Sequence, residues 1–320
     1  MSVVSIRDNA FFERLAPAQR ILVAGAGGGF DVYAGLPIAL ALIGSGKQVT
    51  LANLTFTCLD ATNTPMLAPH LGGVVPEVEG EDVYFPERNL STWLRGRGLP
   101  EVVYAFEKVG VRPLRAAYSL LVERLGIDAI VLVDGGTDIL MFGDEAGLGT
   151  PQEDMTSLAA VAGLDVPIRL VASIGFGIDA YHGVCHAHVL ENIAALDRAG
   201  AYLGAFSVSR SSPEGAAFLD AVAKGQDATP GRPSIVNGSI AAAVEGEFGD
   251  VQFTTRTANS ELFINPLMAL YFTFDLPGLA KQSHYLHLLE HTDTMFEVSA
   301  TIEGFRRGVP HTRPRRAIPH

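Results

Sequence analysis

Aspartates follow three apolar runs of this sequence, each time within or just after a glycine-rich loop. Asp31 follows the run 21–24, Asp134 and Asp138 follow the run 130–133, and Asp179 follows the run 170–174. Continuous aliphatic runs followed by helical periodicity indicate parallel strands buried on both faces, and ligands bind beyond the carboxyl ends of such strands. We therefore expect the three loops to meet at one edge of one sheet and form a functional site.

The first loop, residues 25–31, has the composition of an anion-binding turn between a strand and a helix. It departs from the dinucleotide fingerprint, because Phe30 replaces the last glycine and Asn53 stands where an acid would hold a ribose. These departures disfavour NAD. Asp31 either caps the following helix or faces the crevice and binds a cation, an amine or a hydroxyl. The candidate anion-binding residues are Gly25, Gly27, Gly28 and Gly29.

The second loop is rich in acids among glycines and prolines. Carboxylates brought together repel one another, so a functional cluster of them holds a divalent cation, an ammonium group or an arginine. Oxygen ligands favour Mg²⁺ or Mn²⁺ over zinc, which makes a divalent metal the candidate cofactor. Asp134 and Asp138 are the predicted catalytic residues and metal ligands here, and Asp144 and Glu145 form a candidate additional site. Glu153 and Asp154 are explained by the start of a helix.

The third loop brings histidines to the same edge. His182 and His186 lie four residues apart, so they can share one helical face and are candidate groups for proton transfer. Asp179 and His188 extend the candidate additional site. A role as capped or buried structural residues is the alternative for each histidine.

The charge and the apolar content of the chain argue against some classes of partner and location. The chain has 320 residues, a net charge of -12 and only 18% charged residues. The acidic balance argues against nucleic acid as a partner, and the low charge content predicts a homo-oligomer or a protein partner. The first twenty residues lack a signal-like apolar stretch and no run is long enough to cross a bilayer, so the sequence predicts a cytoplasmic protein without membrane contact.

Strands and helices alternate along most of the chain. This pattern predicts a single α/β domain over residues 1–320, with a doubly wound, mostly parallel sheet in a Rossmann-like three-layer sandwich. Residues 58–97 show no sustained period and are interpreted as a lid or a small subdomain. Residues 226–233 resemble a linker. We further expect strands at 235–244 and 251–255, a closing helix over 285–305 and a disordered tail over 306–320.

The three loops together resemble an uncharacterised prokaryotic family known as the domain of unknown function 1152. Most similar are the segments 133–138, 143–145 and 149–151, and the resemblance extends over roughly residues 20–304. It implies a single α/β unit and no established activity, so the function must be argued from the site.

The leading hypothesis is an enzyme acting by transfer, hydrolysis or elimination on a small polar substrate that carries an anionic group. The glycine amides would hold the anion, the aspartates a metal or a substrate amine, and a histidine would move protons. Two alternatives stay open, namely a binding module for a nucleotide or other small ligand without chemistry, and a subunit that acts only within a hetero-complex.

Overall fold

The structure is a computed structural model that describes residues 9–80, 84–258, 260, 262–310 and 312–318. Its strands are β1 (Arg20–Gly25), β2 (Gln48–Leu54), β3 (Met66–Ala68), β4 (Leu71–Val74), β5 (Val103–Phe106), β6 (Ala129–Asp134), β7 (Ile168–Ser173), β8 (Tyr202–Ser207), β9 (Gly249–Asp250), β10 (Phe263–Ile264) and β11 (Leu270–Asp275). Its α-helices are α1 (Ala10–Leu15), α2 (Asp31–Ala34), α3 (Leu36–Gly44), α4 (Pro86–Gly96), α5 (Val111–Leu125), α6 (Pro151–Ala162), α7 (His186–Arg198), α8 (Pro213–Asp227), α9 (Ile235–Glu245), α10 (Leu276–Gln282) and α11 (Met295–Gly308).

The described residues form a nine-stranded sheet with the order β3-β4-β5-β2-β1-β6-β7-β11-β8. Its five central strands, β5, β2, β1, β6 and β7, are all parallel. Strand β11 runs antiparallel to both β7 and β8, and β4 runs antiparallel to both β5 and β3. The predicted mostly parallel, Rossmann-like sheet is therefore confirmed.

Helices cover both faces of this sheet. The inner faces of α5, α6, α7, α10 and α11 pack on one side, and those of α1, α3, α4, α8 and α9 pack on the other. Every residue of β6 is buried, as expected for a central strand whose side chains alternate between two covered faces. The three-layer sandwich is thus explained by aliphatic strands that need a helix layer on each side.

Two predicted strands are wrong. Residues 235–244 form most of helix α9, which begins where the Ser234 hydroxyl accepts a 3.0 Å hydrogen bond from the Asn237 amide. The alanines of this stretch favour a helix, and an N-cap serine decides the local structure. The described part of 251–255 contains no strand, since pairing stops at Asp250 and a 3₁₀ turn begins at Thr255.

The closing helix also starts later than predicted. Residues 286–289 form a 3₁₀ turn, and α11 begins only at Met295. A capping box sets this boundary, because the Thr294 side chain accepts from the Glu297 amide and the Glu297 side chain accepts from the Thr294 amide.

Residues 58–97 are more regular than predicted. Strands β3 and β4 extend the sheet beyond β5, and helix α4 packs against β5 and α8. The described part of this stretch is therefore built into the sandwich, while its action as a lid stays a prediction. None of the helices in the described ranges is long and apolar enough to cross a membrane.

Candidate functional site

The topology of the sheet places a crevice at its centre. Strands β1 and β6 are neighbours, but the chain continues from β1 toward β2 on one side and from β6 toward β7 on the other. Ligands of open α/β sheets bind at such a reversal of strand order, beyond the carboxyl ends of the strands. In this chain the loops after β1, β6 and β7 line a cavity of about 640 Å³ at that position.

Three carboxylates meet at the floor of this cavity. Asp31, Asp134 and Asp154 each offer one oxygen atom, and the three oxygens lie within 4.8 Å of one another. Asp134 Oδ2 and Asp154 Oδ1 are buried and have no hydrogen-bond partner among the described residues. Unpaired buried carboxylate oxygens are costly, and a divalent cation between them would satisfy both atoms. The arrangement is therefore a candidate metal centre.

Burial controls the protonation of this cluster. It raises the pKa of Asp31 to about 7 and is the largest cause of the raised pKa values of Asp134 and Asp154. Repulsion among the neighbouring carboxylates raises all three pKa values further. Without a cation the cluster therefore holds protons near neutral pH, and a divalent cation would displace them.

The lack of a side chain at two glycines leaves the space that these carboxylates occupy. A Cβ atom on Gly27 would lie 2.8 Å from Oδ2 of both Asp31 and Asp154. A Cβ atom on Gly136 would lie 2.8 Å from Asp179 Oδ2 and 3.0 Å from Asp134 Oδ1. The glycines of the first two loops thus leave space for acids, which is a different purpose from the anion binding that their sequence predicts.

The other two aspartates of the cavity are already hydrogen-bonded. Asp138 Oδ2 accepts from the amide of Thr150 at 2.9 Å, and Asp179 Oδ2 accepts from the amide of Thr137 at 2.6 Å. Both line the cavity, and burial is the largest cause of the raised pKa of each. Asp154, and not Asp138, joins Asp31 and Asp134 in the close carboxylate group. The metal role of Asp134 and Asp138 stays a prediction.

The glycine loop is not open to an anion in the predicted way. The Gly27 amide donates to Asp31 Oδ2 at 2.8 Å, and the Gly29 amide donates to the Leu54 carbonyl at 3.2 Å. Gly25 belongs to β1, and Gly28 lies on the wall of the cavity beside the carboxylates. Two of the predicted anion donors are thus used within the fold, and the adjacent acids make the loop unfavourable for a free anion.

The structure does not bring the three predicted histidines together. His182 is exposed and lines the carboxylate cavity. His186 lines a different cavity and packs against Phe176, with 5.3 Å between ring centroids. His188 is buried, and its Nε2 lies 3.0 Å from the Pro314 carbonyl. The structure therefore keeps only His182 with the aspartates, because the start of helix α7 turns the other two toward the C-terminal segment.

The candidate additional site at Asp144 and Glu145 holds an arginine of the chain itself. Arg313 Nη2 lies 2.7 Å from both Asp144 Oδ1 and Glu145 Oε1. Glu145 is completely buried and also accepts from the amides of Phe142 and Gly143, each at 2.8 Å. In the tail, for which disorder is predicted, Arg313 contacts the acidic loop and the Arg316 carbonyl accepts a 3.1 Å hydrogen bond from the Cys185 thiol. Residues 311, 319 and 320 lie outside the described residues, and the disorder of the tail stays a prediction.

Basic and aromatic groups also line the cavity, and none of them is among the site residues predicted from the sequence. Lys108 pairs with Glu153 at 2.6 Å and lies 4.5 Å from the ring centroid of Phe56. Arg232 and Arg256 line the same cavity. Lys108 follows β5, the third parallel strand along the chain, so its position at a strand end could have indicated a site residue. Arg232 lies in the stretch interpreted as a linker and Arg256 directly follows a predicted strand, so neither position indicated a site.

Glu87 provides a buried carboxylate outside this cavity. It lies in the first turn of α4, its Oε1 accepts a 2.7 Å hydrogen bond from Asn53 Nδ2, and burial raises its pKa to about 7. The unfolded chain ionises this group near pH 4.5, whereas the folded chain retains the proton up to about pH 7. Its contribution to stability is therefore fully present below pH 4.5 and is lost as the pH rises through 7.

We expect Glu87→Gln to remove this loss, since the amide keeps the acceptor and carries no charge. The variant should gain about 3 kcal/mol over the wild type between pH 4.5 and pH 8 in metal-free buffer. Urea denaturation of both proteins at several pH values measures the difference. If the free energies of unfolding of the two proteins changed with pH in parallel, the raised pKa of Glu87 would be contradicted.

The fold and the site together define an α/β protein with a Rossmann-like sandwich and a carboxylate-lined cavity at its topological switch point. The chain belongs to the family described as "Protein of unknown function (DUF1152)", which it matches over residues 95–306. This match confirms the resemblance drawn from the loop sequences. Neither a curated protein nor a solved structure gives a significant match. The function therefore has to be derived from the site itself.

Proposed function

We propose that this protein is a metal-dependent enzyme that transfers, hydrolyses or eliminates an anionic group of a small polar substrate. The single observation that supports it is the group of Asp31, Asp134 and Asp154, which each offer one oxygen within 4.8 Å of the others, and in which Asp134 and Asp154 each have a buried oxygen without a partner among the described residues. Three close carboxylates with free oxygens are the donor set of Mg²⁺ or Mn²⁺.

A bound divalent cation supplies charge for a developing oxyanion and lowers the pKa of a water molecule that it holds. The residues of the chain supply the rest. Arg232, Arg256 and Lys108 attract the anionic end of the substrate, because they are the cations on the cavity wall. His182 lies on the same wall at an exposed position and exchanges a proton with the leaving or attacking group.

The first test is a calorimetric titration of the untagged, metal-depleted protein with Mg²⁺ and with Mn²⁺ at pH 8, which lies above the pKa of about 7 to which burial raises the Asp31 carboxyl. We expect one cation per chain in the wild type and none in Asp134→Asn. Glu87→Gln is the matched control, because it removes a buried carboxylate outside the cavity and should keep the wild-type affinity.

A phosphate-release assay over a panel of small phosphorylated compounds then tests the enzyme itself. Turnover should require Mg²⁺ or Mn²⁺ and should be abolished in Asp134→Asn while the circular dichroism spectrum stays unchanged. Wild-type turnover in that variant would refute the role of Asp134. Absence of cation binding would shift the proposal to an ammonium group of the substrate held by the same carboxylates.

A further inference from the structure

A second cavity adjoins the carboxylate cavity. It has a volume of about 730 Å³ and is lined by small side chains that include Thr57, Ala61 and Thr62. The two cavities share four wall residues, namely Phe56, Tyr84, Arg232 and Arg256. A ligand that contacts these four residues can therefore extend into both cavities at once.

The shared wall carries two aromatic rings. The rings of Phe56 and Tyr84 are nearly parallel, with an interplanar angle of 19° and 6.4 Å between their centroids. Phe56 is 45% exposed although it is large and apolar. An exposed aromatic ring between two cavities provides a stacking surface for a planar ring, and such stacking tolerates any nucleobase.

The shared wall also carries two positive charges that the described residues leave unneutralised. Neither Arg232 nor Arg256 forms an ion pair with a described carboxylate, and within the described residues the Arg256 guanidinium donates a 2.8 Å hydrogen bond to the Pro233 carbonyl. Unpaired arginines bind phosphate oxygens well, because the planar guanidinium matches two oxygens at a time. Both arginines line the same cavity as the carboxylate group, so a phosphate bound to them shares that cavity with the candidate metal centre.

We infer that the substrate is a nucleoside phosphate, with its phosphate at Arg232 and Arg256 and its base in the second cavity against Phe56 and Tyr84. This inference rests on the proposed function, because that function supplies the divalent cation that the phosphate would contact on the side away from the two arginines. The binding mode differs from that of dinucleotide-binding loops, since the amides of Gly27 and Gly29 are already bonded within the protein.

Calorimetry of the full chain with three kinds of probe tests the inference. The probes are the four common nucleoside monophosphates, ribose 5-phosphate, which lacks the base, and adenosine, which lacks the phosphate. At least one nucleotide should bind about tenfold or more tightly than ribose 5-phosphate, because base stacking contributes that much affinity. Mg²⁺ should strengthen nucleotide binding further, since it neutralises the carboxylates beside the phosphate.

Variants separate the two halves of the ligand. Phe56→Leu should bring the Kd of the best nucleotide close to that of ribose 5-phosphate and leave the latter Kd unchanged. Arg232→Gln combined with Arg256→Gln should weaken both phosphates by about tenfold or more without changing the weak binding of adenosine. Phe296→Leu, which alters a ring that is 81% exposed on α11, is the matched control and should bind like the wild type.

Failure of this inference is distinguishable from failure of the proposed function. If Mg²⁺ binds and is lost in Asp134→Asn, but no nucleotide binds more tightly than ribose 5-phosphate, the nucleoside assignment is overturned and the metal centre stands. If nucleotides bind in the presence of a chelator and Phe56→Leu weakens them, but no cation binds, the base site stands and the metal-dependent reaction is refuted. Equal weakening of nucleotide and ribose 5-phosphate by Phe56→Leu overturns the stacking role.

Discussion

Asp154→Asn should weaken Mn²⁺ binding by more than about 100-fold, whereas Asp138→Asn should weaken it by less than about tenfold. The reason is geometric, because Asp154 belongs to the close carboxylate group and its Oδ1 has no described partner. Asp138 lies in the same cavity but is held by the amide and hydroxyl of Thr150. Isothermal titration with Mn²⁺ at pH 8 measures both affinities.

The pair of variants tests the structure against the sequence pattern, which favoured Asp138. Both substitutions remove one buried carboxylate from the same cavity, so each serves as the control for the other. Both should also stabilise the metal-free protein, since each removes repulsion within a group whose pKa values are raised. Equal affinities for the two variants, or a larger loss in Asp138→Asn, would contradict the assigned ligand set.

Arg313→Met should lower the free energy of unfolding by about 3 kcal/mol or more, because it leaves a buried charge without its partner. The Arg313 guanidinium contacts Glu145, whose side chain is 0% exposed, together with Asp144 and Glu191. Three neutral donors remain on Glu145, from Phe142, Gly143 and Asn192, and they limit the loss to the lower part of the usual range. Urea denaturation at pH 7 measures the effect.

Arg316→Met is the control for that variant. Arg316 belongs to the same segment and pairs with Glu191 at 3.2 Å, but its side chain is 59% exposed, so its loss should cost less than about 1 kcal/mol. Adding Glu145→Gln to Arg313→Met should recover part of the stability by removing the buried charge. Equal losses in Arg313→Met and Arg316→Met would show that the contact with Glu145 contributes nothing.

Strands β1, β6 and β7 were predictable because each is an aliphatic run followed by glycines. The same runs placed Asp31, Asp134 and Asp179 at strand ends, and the structure brings all three to one cavity. Asp154 was assigned to a helix start, although it shares the apolar face of α6 with Leu158 and Val161, at i, i+4 and i+7. An acidic residue on the buried, apolar face of a helix was therefore the sequence signal that could have identified Asp154 as the third carboxylate of the close group.

Other features depended on contacts between distant parts of the chain. The acids at 144 and 145 have a partner 168 residues or more away, at Arg313, which no local spacing reveals. The glycine loop looked like an anion site because its own amides were counted as free. His186 and His188 were grouped with His182 by spacing, yet His186 in the first turn of α7 lines a different cavity and His188 contacts the Pro314 carbonyl.

The position of β11 in the sheet has a consequence for synthesis of the protein. Among the described residues, β8 is hydrogen-bonded to β11 and to no other strand, and β11 lies between β8 and β7. While the chain emerges from the ribosome, β7 has an open edge and β8 has no place in the sheet until residue 275 has been made. A nascent or truncated chain ending before β11 therefore exposes a strand edge to other chains, which makes it prone to aggregate and a client for chaperones.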